Sequence, residues 1–155
     1  MHSVQIASRF REVILNGTWI STNFKAQLAD ITLEEALTKI GDLNTIALLT
    51  FHIHYYVAGV LNVLEGGQLE IRDKYSFDMP PLQSEAEWDA IRDALWNDAE
   101  KFAQRVGEMP DNQLWSAFAD EKYGNFYRNL EGMLEHCYYH LGQVVMLKKL
   151  IRTGR

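Results

Sequence analysis

The sequence predicts an all-α fold, a four-helix bundle with a long connection between its second and third helices. Three observations carry this. Four long stretches repeat their apolar residues at helical spacing, and no stretch shows convincing strand alternation. Stop signals divide the helical stretches, at Asn16-Gly17, Gly66-Gly67 and Met109-Pro110. No repeat, low-complexity segment or internal boundary interrupts the 155 residues, which read as one domain with chain enough for a substantial core.

The first helix runs from Val4 to Leu15, with Val4, Ala7, Phe10, Ile14 and Leu15 as its apolar stripe. Residues 18–31 read as a connector with apolar anchors. Thr32, followed three residues later by Glu35, is a capping-box signature that starts a short helix. Gly41-Asp42 closes it, and Asp42 or Asn44 is placed to cap the second long helix, Leu43 to Leu64. The stripe of that helix is Leu49, His52, Tyr56, Val60 and Val63. Residues 66–83 form the long connection, a length that marks a lid, an interface arm or a crossing over the bundle's end. Ser84 with Glu87 repeats the capping signature, and the third helix follows through Trp88, Ile91, Leu95, Phe102 and Val106. Asp111 to Phe118 reads as a short helical turn. Tyr123-Gly124-Asn125 then leads into the final helix, Phe126 to Ile151.

An apolar fraction of 47% and a charged fraction of 23% are those of a soluble globule. The most apolar run is interrupted by His52 and His54, and reads as too short and too polar to span a bilayer. Met1-His2-Ser3-Val4-Gln5 lacks the basic-then-apolar pattern of a secretory signal. The single cysteine, Cys137, excludes an intramolecular disulfide and suits a reducing compartment, so a cytoplasmic protein without a membrane partner is expected. On the final helix Cys137 is rotated by about 100° from its neighbour His136, and reads as a small buried hydrophobe. A net charge of −6 argues against a nucleic-acid surface, which needs clustered Lys and Arg. The one basic cluster, Lys148, Lys149, Arg152 and Arg155, ends the last helix, where it complements the helix dipole.

The chemistry concentrates in histidine. His136 and His140 lie one turn apart on the last helix, on a face continued by Met133, Val144, Leu147 and Ile151. Two imidazoles aimed at an apolar interior need partners for their ring nitrogens. A divalent metal supplies them; so do carboxylates, carbonyls or water. Apart from His2, the remaining histidines are His52 and His54, inside the second helix. These two are rotated by about 200° from each other, so only one can share the site. The register between Leu49 and Tyr56 selects His52 and leaves His54 for a surface or interface. Three histidines leave coordination positions open for water or substrate, as a reactive metal requires. Ferritin-like di-iron chemistry is excluded, because no Glu has a His three residues later, and His-Glu-x-x-His is absent.

His136-x-x-x-His140-x-Gly142-Gln143, with Asn44-Thr45-Ile46-Ala47 leading to Phe51-His52 and with the helix end Glu65-Gly66-Gly67, resembles the DinB-like superfamily, named for a DNA-damage-inducible gene. The likeness spans essentially the whole chain. It implies a four-helix bundle with a three-histidine site for one divalent metal, nickel or zinc. By motif position the ligands are His52, His136 and His140. It also implies a homodimer, and relatives that are metal-dependent transferases acting on low-molecular-weight thiols, thiol-using isomerases, or hydrolases.

The function expected on these grounds is that of a metal-dependent enzyme of the thiol-transferase or hydrolase type, activating a thiol or a water on a small-molecule substrate. No catalytic residue is identifiable beyond the metal ligands; Asp98, Glu121 and Tyr56 are candidate neighbours. The alternative is a non-catalytic, stress-induced dimeric bundle propped by its ion. Direct nucleic-acid binding is disfavoured by the acidic charge.

Overall fold

The structure, a computed structural model, describes residues 1–17 and 19–154. Among these the chain is all-helical, and the only β pairing is one isolated bridge between Ala117 and Asn125. Four long helices, α1 (His2–Ile14), α4 (Ile46–Leu64), α5 (Glu85–Glu108) and α6 (Phe126–Thr153), are joined by two five-residue helices, α2 (Phe24–Leu28) and α3 (Leu33–Leu37), and by three 3-10 turns. The long helices pack in a closed circuit, α1 on α5, α5 on α4, α4 on α6 and α6 on α1. Their inward stripes share one core, in which Phe10 stacks on Phe102 at 4.1 Å between ring centroids. Trp88 is fully buried there and donates its indole N–H to the Ile31 carbonyl at 2.8 Å.

The helix starts follow side-chain chemistry, with corrections. The capping box at Thr32 and Glu35 is present in both directions. At α5 only half of it forms. Ser84 accepts from the Glu87 N–H, whereas the Glu87 carboxylate turns to the N–H of Gln83. The cap of α4 is Thr45, not Asp42 or Asn44, because its hydroxyl sits next to the first helical residue and accepts from the Leu48 N–H. The connector 18–31, whose Thr18 lies outside the described residues, contains α2, capped by Asn23 and seated by buried Phe24 and Leu28. The start of α1 has no cap of its own; Asp111, far along the chain, accepts from the N–H groups of His2 and Ser3. The stripe of α1 is Ile6, Ala7, Phe10, Val13 and Ile14, and Val4 is exposed, since at about 100° per residue it lies roughly 120° around the helix from Phe10.

Two further expectations change. With 19 residues and a mean hydropathy of 1.4, α4 is long and apolar enough to cross a membrane by length and composition, against the sequence reading. Of that span, 56% is buried in the core, which accounts for its apolarity. The basic cluster on α6 does more than face a dipole. The Lys148 ammonium lies 2.7 Å from Asp30 and donates to the Gln27 carbonyl, and Arg152 bonds both Asp30 and Glu35. These bonds hold the Asp30 carboxyl down at about 2 and tie α6 to the α2–α3 segment. Arg155 lies outside the described residues.

Candidate metal centre

The register of α4 turns His52 inward, and the one-turn spacing on α6 aims His136 and His140 at it. The three rings meet edge to face, with centroids 4.6 to 4.9 Å apart. One ring nitrogen from each lies within 4.8 Å of the other two, and the His52 and His136 Nε2 atoms are 3.0 Å apart. His52 and His140 are 6% and 7% exposed, while His136 is half-buried. Among the described residues this is the one cluster of three or more such ligands.

The outer nitrogens fix which atoms face the centre. His52 Nδ1–H donates to the Ser76 carbonyl at 3.2 Å, and His140 Nδ1–H donates to Gln143 Oε1 at 2.6 Å. Carbonyl oxygens only accept, so each Nδ1 carries the proton and each Nε2 presents a lone pair to the cluster. His136 has no such partner for Nδ1 among the described residues.

Electrostatics keep the rings neutral. Burial lowers the pKa of all three, most clearly for His136, which falls to about 4. The neighbouring imidazoles add to the effect for His52 and His136, while the Gln143 bond opposes it for His140. Neutral imidazole is the form that binds metal. The spacing also suits a shared ion. Two nitrogens bonded at ~2.0–2.1 Å to one tetrahedral or octahedral cation lie roughly 2.9–3.4 Å apart, a range that includes the His52–His136 separation. The three histidines are thus positioned to hold a metal ion.

Aromatic rings enclose the cluster. Phe77 stacks on His52 at 4.0 Å, Tyr56 meets His52 and His136 edge-on, and Tyr139 meets His140. Phe77 and Ser76 belong to the connection 66–83, which closes over the first histidine as a strap. Its seat is Gly59 on α4, where a methyl group would run into Ile71. Next along the strap, the Tyr55 hydroxyl donates to the Arg72 carbonyl and accepts from its N–H, and the Tyr56 hydroxyl donates to Asp73 at 2.7 Å. Burial and that bond push the Tyr56 phenol up to about 12.

Of the other candidates, Asp98 is not beside the cluster's nitrogens but paired with His54 at 2.8 Å across α4 and α5. That partner explains how His54 is placed on its own face of the helix. Glu121 is exposed on a 3-10 turn. Cys137 is fully buried, and burial raises its thiol to about 12, as a small core hydrophobe requires.

His136 forms part of the wall of a cavity of about 660 Å³, floored by Val60, Leu69, Ile71, Phe118 and Met133. The fold and site together define an all-α protein with a buried three-histidine group able to bind a metal beside a cavity. The chain matches no protein-family model, no curated protein and no solved structure.

Proposed function

We propose that the chain is a metal-dependent enzyme of the DinB-like class, a four-helix bundle in which His52, His136 and His140 hold one nickel or zinc ion for chemistry on a thiol or a water. The observation that carries this reading is the convergence of three imidazole nitrogens within 4.8 Å at the wall of a cavity of about 660 Å³. Cavities of this size receive small molecules. The closed circuit of long helices supports the bundle.

A cation bound there would supply Lewis acidity, bringing a thiol or water toward its nucleophilic form near neutral pH. The chain's own residues do the rest. Ser76 and Gln143 hold two imidazoles in the tautomer that presents Nε2. Phe77, Tyr56 and Tyr139 pack against the rings, and His52 and His140 are left largely buried. Tyr56 keeps its proton at neutral pH and holds Asp73 at the cavity wall.

Metal analysis of the purified protein and of His140→Ala tests the reading. One equivalent of nickel or zinc is expected in the wild type and its loss in the variant; a wild type that takes up neither overturns it. The deep burial of His52 and His140 favours a second reading, a non-catalytic bundle whose ion is a prop. A large loss of thermal stability with chelator, without any thiol- or ester-dependent turnover, would select it.

A further inference from the structure

We infer that the cavity beside His136 takes a small organic anion, an apolar body carrying a carboxylate or a phosphate that Arg128 and Arg72 recognise. As a substrate class this rests on the metal-centre reading, but the anion contact itself does not.

The lining has two parts. Val60, Leu69, Ile71, Phe118 and Met133 make an apolar floor, and Arg72 and Arg128 stand with Asp73 around it. Two guanidiniums against one carboxylate is an inversion for a chain of net charge −6. The cavity along Leu49 and Met146 carries Asp42 and no Arg or Lys, and the one beside α1 holds Arg11 and Glu12 in equal number, with Arg11 ion-paired to Glu100. The surplus of cations therefore falls at the opening onto the histidine cluster. Asp73 does not cancel it, since it sets one negative charge against two positive ones and forms no ion pair with either arginine among the described residues.

An unusual helix residue makes room for Arg128. Arg128, Gly132 and His136 follow at one-turn intervals on α6, so they share a face. Glycine is unfavourable inside a helix, yet Gly132 sits in the middle of this one. A methyl group there would come 3.1 Å from Arg128 Nη1, so the missing side chain lets the guanidinium lie along the helix toward His136. Its only ion-pair partner among the described residues is Glu135 at 3.5 Å, with both side chains exposed. Such a pair is weak in water and leaves the planar fork free for an oxyanion. Arg72 has no ion-pair partner among the described residues, and its backbone is fixed by Tyr55.

The test titrates 3-phenylpropionate, phenyl phosphate and uncharged 3-phenylpropan-1-ol into the zinc-loaded and the metal-free protein, following the Met133 methyl and His136 ring resonances. At least one anion is expected to bind ten-fold or more tightly than the alcohol, with the preferred headgroup identifying the class. Arg72→Gln with Arg128→Gln should bring that anion to the alcohol's affinity without moving the melting temperature. Gly132→Leu, which fills the space under the guanidinium, should weaken the anion as well. Equal binding of anion and alcohol, no binding of either anion, or a preference that survives both arginine substitutions overturns the proposal. Zinc uptake without anion preference sinks this inference alone; anion preference in a protein that takes up no metal sinks the metal reading alone.

Discussion

Substituting Gly59 by Ala probes the link between the strap and the first histidine. The new methyl would overlap the Ile71 side chain at its branch, so Ile71 must move as a whole rather than swing a flexible tip. Overpacking of this kind costs about 1–3 kcal/mol. Replacing glycine within a helix returns about 1 kcal/mol. The net effect is a destabilisation of roughly 0–2 kcal/mol, or a fall of a few degrees in melting temperature for a chain of this size. The sharper consequence lies at the metal centre. Ile71 is followed by Arg72 and Asp73, pinned by Tyr55 and Tyr56, and then by Ser76, whose carbonyl orients His52. Loss of such an outer-sphere partner lowers metal affinity by roughly 10–100-fold. Zinc affinity by chelator competition, with melting curves at saturating zinc and without it, measures both effects. Gly59→Ala with Ile71→Ala removes the collision and should recover most of the lost affinity, the signature of coupled neighbours. If Gly59→Ala melts about a kilocalorie more stable than wild type and binds zinc as tightly, the strap is not seated as described.

The remaining tests use different instruments. His136 is held neutral in the folded protein, so in the absence of metal the folded state binds fewer protons than the unfolded one below ~6.5, and stability is lost as pH falls toward about 4. After discounting for its partial exposure, the loss attributable to His136 is on the order of 1–2 kcal/mol. Denaturant curves of metal-free wild type and His136→Gln should converge over that window, and parallel curves would contradict the assignment. Trp88→Ala empties the largest buried side chain and leaves the Ile31 carbonyl only its 3.5 Å bond from Arg92, so urea unfolding should report a loss of roughly 3–5 kcal/mol. Gly132→Ala displaces Arg128 by only a few tenths of an ångström and should raise the melting temperature by about 2–4 °C. Sedimentation at micromolar concentration should show the dimer implied by the DinB-like resemblance, and a monomer would refute it.

Much of the histidine cluster could be read in the sequence because helical geometry is so regular. The 100° step between residues chose His52 over His54, and the one-turn spacing aligned His136 with His140. Gln143 was legible in principle, three residues from His140 on the same face. The Ser76 carbonyl was not, since every residue carries one and only the path of the strap decides which carbonyl meets His52. Asp98 illustrates the opposite error. Its position on a facing helix suggested the metal, but a helix faces several neighbours and His54 claimed it. In the fold, the capping box at Thr32 was readable because its two bonds are local. Three residues able to cap a helix, Asp42, Asn44 and Thr45, lie within four positions, so the start of α4 was settled only by where its hydrogen bonds begin. The short α2 was hidden because five residues give too few repeats to show a period, and the cap of α1 by Asp111 joins residues more than a hundred positions apart.

The burial of Cys137 has a practical consequence for any study of thiol chemistry in this protein. The chain's single sulfhydryl is sealed in the core and protonated at ordinary pH, so it neither forms mixed disulfides with added thiols nor consumes alkylating reagents while the fold is intact. A reagent that colours free sulfhydryls therefore reports the added small molecule alone, and the first protein signal to appear marks unfolding.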